Sequence, residues 1–126
     1  MSGLTYDAGA LVAAEGSDRS LWALHRRALD RAIRPTVPAG VLGQAWRGGP
    51  QAELSRLLKG CRVEDLDEVR SRAAGQACAR SKTSDVIDAT VVVGAIARGD
   101  LVVTSDAKDM KRIASALNAR LEIIDV

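Results

Sequence analysis

The run Leu101-Val102-Val103-Thr104 constrains this chain more than any other stretch. It is four β-forming residues long, stopped in front by Gly99-Asp100 and behind by Ser105-Asp106, and so reads as a short buried strand. The pattern on both sides is helical. Residues 85–98 are apolar nearly all round, which predicts a buried helix, and residues 106–117 predict a second helix ending at Asn118. A strand set between helices in this way is joined by crossovers long enough for parallel pairing. Leu4-Thr5-Tyr6-Asp7 opens the chain in the same style, with a helix at 11–14 stopped near Gly16. Residues 34–37 form a short extended piece next to Pro35, and Pro38 suits a first helical turn. Cys61-Arg62-Val63-Glu64-Asp65 alternates and suits a sheet edge, while 121–125 is the last strand. Further helices are expected at 19–33, 39–47, 51–59 and 67–80. The fold class is α/β: a three-layer sandwich on a central parallel sheet, one domain over residues 1–126.

The core must be aliphatic. Apolar residues make up 47%, yet the only aromatics are Tyr6, Trp22 and Trp46, with no Phe. That excludes a surface of stacking platforms for bases, so any contact with nucleic acid is charge to phosphate. In the helix over 19–33, Leu21, Trp22, Leu24, Ala28, Leu29 and Ile33 recur at helical spacing and are expected to face inward. His25, with no second ligand nearby, is expected at the surface. Cys61 and Cys78 lack the paired spacing of a zinc site and read as reduced thiols packing as small apolar groups. The chain shows no signal-peptide pattern and no apolar run of membrane-spanning length, so a cytoplasmic location is expected.

The informative residues are acids. Asp7 ends the first strand, Asp106 follows the strand at 101–104, and in a parallel sheet ligands bind beyond the carboxyl ends of the strands. Asp85 with Asp88, and Asp106 with Asp109, repeat an i, i+3 spacing that puts each pair on one helix face. Each pair taken alone also suits helix capping, because Asp is a favoured N-cap and an acid in the first turn favours the dipole. Carboxylates from three segments crowded at one sheet end would repel one another unless a cation offset them. Mg2+ or Mn2+ suits such an all-oxygen site. Net charge is +2, from 18 bases and 16 acids; setting these five acids aside leaves 11 against 18, a balance of +7. A basic surface around an acidic hole suits a phosphate-backbone substrate. Arg47, Lys82 and Lys108 are candidates to hold its phosphates.

Three motifs carry a family resemblance. Thr5-Tyr6-Asp7-Ala8-Gly9-Ala10-Leu11 resembles the opening of PIN-domain proteins, Asp88-Ala89-Thr90-Val91-Val92-Val93 resembles their third acidic motif, and Val103-Thr104-Ser105-Asp106-Ala107-Lys108-Asp109 resembles their fourth. Order, spacing and length agree over essentially the whole chain, and the nearest subgroup is the VapC toxins of toxin–antitoxin pairs. The resemblance implies a Rossmann-like parallel sheet and a metal-dependent endoribonuclease. It further implies an RNA substrate, a homodimer and inhibition by a cognate antitoxin. It makes Asp7 and Asp88 the principal metal ligands, with Asp106 and Asp109 binding directly or through water. Thr104 or Ser105 would hydrogen-bond a metal-held water, and Asp85 would be auxiliary.

One position departs from the family pattern. Its second acid belongs on the short helix after the second strand, where this chain carries Gln44, which keeps an oxygen but loses the charge. Glu53, one helix later, is expected to face elsewhere. Two readings follow: a cutting enzyme, or a degenerate module that binds RNA or antitoxin without cutting. A phosphate-accepting receiver domain also uses acids at strand ends, but only Asp7 partly fits it.

Overall fold

Residues 2–126 are described in a computed structural model. Among them, five strands form one all-parallel sheet: β1 (Leu4–Tyr6), β2 (Thr36–Pro38), β3 (Arg62–Glu64), β4 (Leu101–Thr104) and β5 (Ile123–Asp125). The strand order is β3-β2-β1-β4-β5, so the first strand lies at the centre. From β1 the chain steps outward through β2 to β3, then crosses back to β4 and β5. Right-handed crossovers therefore put the helices before β3 on one face and those after it on the other. The contacts agree: α1 (Ala8–Glu15) packs on α2 (Arg19–Asp30), α3 (Ala39–Ala45) and α4 (Ala52–Lys59), while α5 (Glu68–Ser81), α6 (Val86–Arg98) and α7 (Ala107–Ala116) pack on one another. This is the expected three-layer α/β sandwich. No helix among the described residues is long and apolar enough to cross a membrane.

The elements follow from local chemistry. Asp18 and Asp67 cap α2 and α5, accepting from the amides of Leu21 at 2.9 Å and Arg70 at 2.8 Å. Gly99 ends α6 at φ 73°, a left-handed conformation that glycine adopts freely. The N-terminus of α4 lacks a side-chain cap of its own; Glu15 on α1 supplies one, accepting from the Leu54 amide at 2.7 Å. The core is aliphatic, as composition requires, with Leu4, Leu11, Val37, Val91, Val102 and Ile113 essentially inaccessible. Both cysteines are free thiols; burial pushes the Cys61 thiol up to about 12, which makes it inert.

Several expectations need correction. Strand β2 starts at Thr36 rather than residue 34, and β5 at Ile123 rather than 121. His25 is buried, 3% exposed, not at the surface. It lies on the stripe with Leu21, Leu24 and Ala28, and its Nδ1 is 2.8 Å from the Tyr6 hydroxyl. Burial, then the Arg56 charge, holds its pKa below the usual imidazole value, so it packs as a neutral ring. Leu29, expected inside, is 40% exposed, because it sits one step round the helix from that stripe.

The two faces of β1 differ in kind. Tyr6 points to the α2 side, whereas Thr5 points to α6 and joins a polar network. Arg98 donates to Thr5 Oγ1 at 2.9 Å, Asp100 Oδ2 at 2.9 Å and Glu64 Oε2 at 2.7 Å, tying α6 to β1, β3 and the start of β4. Arg98→Met should cost about 2–3 kcal/mol in urea unfolding, since Asp100 loses its cation and Glu64 keeps only the longer contact to Arg70 at 3.7 Å. A loss under ~0.5 kcal/mol would make the network incidental.

Candidate metal centre

The sheet order makes β1 and β4 neighbours whose connections leave in opposite directions, and their carboxyl ends open one crevice. Asp7 stands at the end of β1 as the N-cap residue of α1; its amide still belongs to the ladder, donating to Val103 O at 2.9 Å. Asp106 stands at the end of β4 as the N-cap residue of α7, and Asp109 is in that helix's first turn. The N-terminus of α6 comes to the same end of the sheet, bringing Asp85 and Asp88. One carboxylate oxygen from each of Asp88, Asp106 and Asp109 lies within 4.8 Å of the others. Asp7 and Asp85 lie outside this group of three but add to its negative environment: burial first, then the charges of Asp85, Asp7 and Asp106, pushes the Asp88 carboxyl up to about 7. Asp106 moves the same way, through desolvation and then the charges of Asp109 and Asp7.

Capping explains one of these acids and fails for two others. Asp85 Oδ1 accepts from the Asp88 amide at 2.9 Å, an ordinary cap. Asp7 and Asp106 hold the N-cap positions of their helices without any side-chain cap bond. Instead Asp7 Oδ2 accepts from the Thr104 hydroxyl at 2.8 Å, and that hydroxyl accepts from the Asp106 amide at 2.9 Å. Thr104 has one proton and spends it on Asp7, so it clamps that carboxylate. The other oxygen, Asp7 Oδ1, is buried and has no hydrogen-bond partner among the described residues. A buried carboxylate oxygen left bare is costly unless something else meets it. A hard divalent cation fits: oxygen donors, excess negative charge and one orphaned lone pair pointing nowhere else.

The remaining candidates are not among the three acids whose oxygens converge. Gln44 is exposed in the last turn of α3 and makes no hydrogen bond among the described residues. Glu53 does face elsewhere, pairing with Arg56 at 2.7 Å. Arg47 is exposed and folds back on its own loop, its guanidinium 2.8 Å from Trp46 O. Lys82 is exposed at the end of α5 with φ 59°, and Lys108 is exposed on α7 between Asp106 and Asp109. A groove of about 940 Å³ runs between α2 and α4 past Trp22, His25, Leu29 and Arg56. None of the five clustered acids lines it. Its Trp22 ring carries the Arg56 guanidinium 3.8 Å from its centroid. Sequence reasoning missed this wall, although His25 at i+4 from Leu21 was a legible sign of burial.

The sequence matches no family model and no curated protein. Solved structures do match its backbone. A chain of VapBC2 from Rickettsia felis, bound to a DNA fragment from their promoter, superposes with a TM-score of 0.72 at 18% identity, over 97% of this chain and 98% of that one. A chain of DNA-bound VapBC from Salmonella typhimurium gives 0.68 at 19%, over 99% and 98%. PAE2754 from Pyrobaculum aerophilum gives 0.67 at 17%, over 99% and 91%. At such identities the likeness speaks for the fold alone: the chain shares the backbone architecture of these VapBC chains and of PAE2754.

Proposed function

We propose that this chain is a metal-dependent endoribonuclease, the toxin of a toxin–antitoxin pair, hydrolysing RNA phosphodiester bonds at the acidic cluster. The observation that carries the reading is Asp7 Oδ1, buried and unpartnered beside the other carboxylates. Asp7, Asp88, Asp106 and Asp109 would hold Mg2+ or Mn2+, with Asp85 behind them as the cap that fixes the start of α6. Such an ion, when bound, supplies Lewis acidity at the scissile phosphate and a nucleophile at neutral pH. The chain's own part is placement. Thr104 fixes the rotamer of Asp7 by taking one oxygen, which leaves the other free. Asp88 gives up a proton as its carboxylate is engaged. Lys108, Lys82 and Arg47 would contact flanking phosphates as charges on an open rim. Two of the solved chains of this fold come from VapBC complexes, which supports a cognate antitoxin as partner. An antitoxin arginine entering the acidic pocket would make a charge-assisted contact there. A homodimer is the assembly this reading carries.

Gln44 favours a second reading, a module that binds without cutting. It supplies neither the negative charge nor the basicity of an acid. Cleavage of total RNA by the purified chain in Mn2+, with and without Gln44→Glu, separates the two. An enzyme cuts as it stands, and Gln44→Glu raises the rate by roughly tenfold or more, as a charged ligand replaces a neutral one. A silent wild type with an active Gln44→Glu variant makes the chain a binder. Silence from both removes the nuclease reading altogether.

A further inference from the structure

The corners that carry Asp7 and Asp106 touch at a single small residue. A Cβ built on Gly9, in the first turn of α1, falls on Ser105: 2.7 Å from its Cβ, 2.7 Å from its backbone nitrogen, and nearer still to its hydroxyl. Two of those atoms belong to the rigid part of the β4–α7 turn and cannot swing aside. The need is for space rather than for an unusual backbone angle, because the positive-φ glycines are Gly48 and Gly99. It also runs against local preference, since alanine is the better helix former. Gly43 and Gly75 stand in open space, where an added Cβ meets nothing within 4 Å, and Gly40 and Gly94 would meet only side chains, those of Ile87 and Arg98; Gly9 alone among the helical glycines meets a neighbouring backbone.

We propose that Gly9 is a positioning residue: by leaving a notch for Ser105, it sets how closely the Asp106 corner seats against Asp7. A methyl group there pushes Ser105 outward. The next residue is Asp106, whose amide is tied at 2.9 Å to the same Thr104 hydroxyl that clamps Asp7. Displacing Ser105 therefore loosens the clamp and spreads the carboxylates together. The inference rests on the reading of the cluster as a cation site, and its test is built so that the two fail separately.

Amide hydrogen exchange at Asp106 and calorimetric titration with Mn2+ are measured on wild type, Gly9→Ala, Gly75→Ala and the double variant Gly9→Ala/Ser105→Gly. Gly9→Ala should lose protection at the Asp106 amide and about tenfold in Mn2+ affinity, the scale of losing a group that orients a ligand. Gly75→Ala should change neither, which removes a general effect of alanine in helices. The double variant should regain part of both, because the hydroxyl and Cβ that clash are gone while the backbone nitrogen at 2.7 Å remains. Wild-type protection and affinity in Gly9→Ala would overturn the inference. If wild type takes up no Mn2+, the cation reading fails, and the exchange data alone decide the role of the notch. If Gly9→Ala misfolds alone, a double variant that recovers folding supports the notch, and one no more stable than Gly9→Ala overturns it.

Discussion

Asp7→Asn should abolish the proposed Mn2+-dependent RNA cleavage while leaving the metal-free protein at least as stable as wild type. The two halves of that result have one cause. Asp7 has one satisfied oxygen, held by Thr104, and one buried oxygen with nothing to accept from. Asparagine keeps the shape and can still accept the Thr104 hydroxyl through its carbonyl. Its amide nitrogen then replaces the bare oxygen and offers donors to neighbouring carboxylates that lack them. Metal-free folding gains, because a buried, unpaired charge is removed from a site of like charges. Cation binding loses, because a neutral donor replaces an anionic one at the most enclosed position. The rate should fall about 10³-fold, equivalent to ~4 kcal/mol of transition-state stabilisation. The readout is cleavage at saturating RNA, with thermal unfolding in chelator as the companion measurement. Unchanged cleavage would put the chemistry elsewhere. Lost cleavage with a collapsed melting temperature would reduce Asp7 to a structural residue.

That contrast between stability and activity separates this site from ordinary helix capping, and it was only half legible in the sequence. The strands and helices could be read in order. Apolar four-residue runs alternate with helical periodicity, and the parallel sheet follows from crossover length. The neighbouring of β1 and β4, which joins Asp7 to Asp106, does not follow from element order and is fixed by the register: Tyr6 pairs with Val103. What a sequence cannot separate is an Asp that caps from an Asp that merely occupies the cap position. Asp85 and Asp7 look alike there, and only side-chain geometry divides them. His25 was misplaced for a related reason. Its burial depends on a hydroxyl from Tyr6, nineteen residues away, and helical periodicity counts histidine as polar. The Arg98 network was invisible because its members come from β1, β3 and the loop before β4, which meet only in the folded sheet. Gln44 was legible as a departure, and its exposed, unbonded side chain leaves the departure uncompensated.

Mn2+ affinity should rise steeply with pH up to about 7 and level off above it, while the stability of the metal-free protein runs the opposite way. Asp88 governs both, its carboxyl raised from an ordinary 3.8 to about 7 by burial and by Asp85, Asp7 and Asp106. A carboxyl whose folded pKa exceeds its unfolded value binds its proton more tightly when folded. Its stabilising contribution is therefore complete below about 4 and is lost as pH climbs from there to about 7. After screening by the open edge of the site, the loss should be about 2 kcal/mol, or on the order of 5 °C in melting temperature. Binding a cation requires the same carboxylate free of its proton, so each pH unit below 7 should cost about tenfold in affinity. Asp88→Asn isolates the group. In chelator it should melt higher than wild type at pH 8 and lose most of the pH slope between 4 and 7, and its residual Mn2+ affinity should be low and nearly flat with pH. Calorimetry at pH 5.5, 6.5 and 7.5 provides the decisive comparison. A flat wild-type affinity profile would mean that Asp88 is not where proton and cation compete. A metal-free protein that grew more stable as pH rose through this window would mean that the crowding of carboxylates is not the strain a cation relieves.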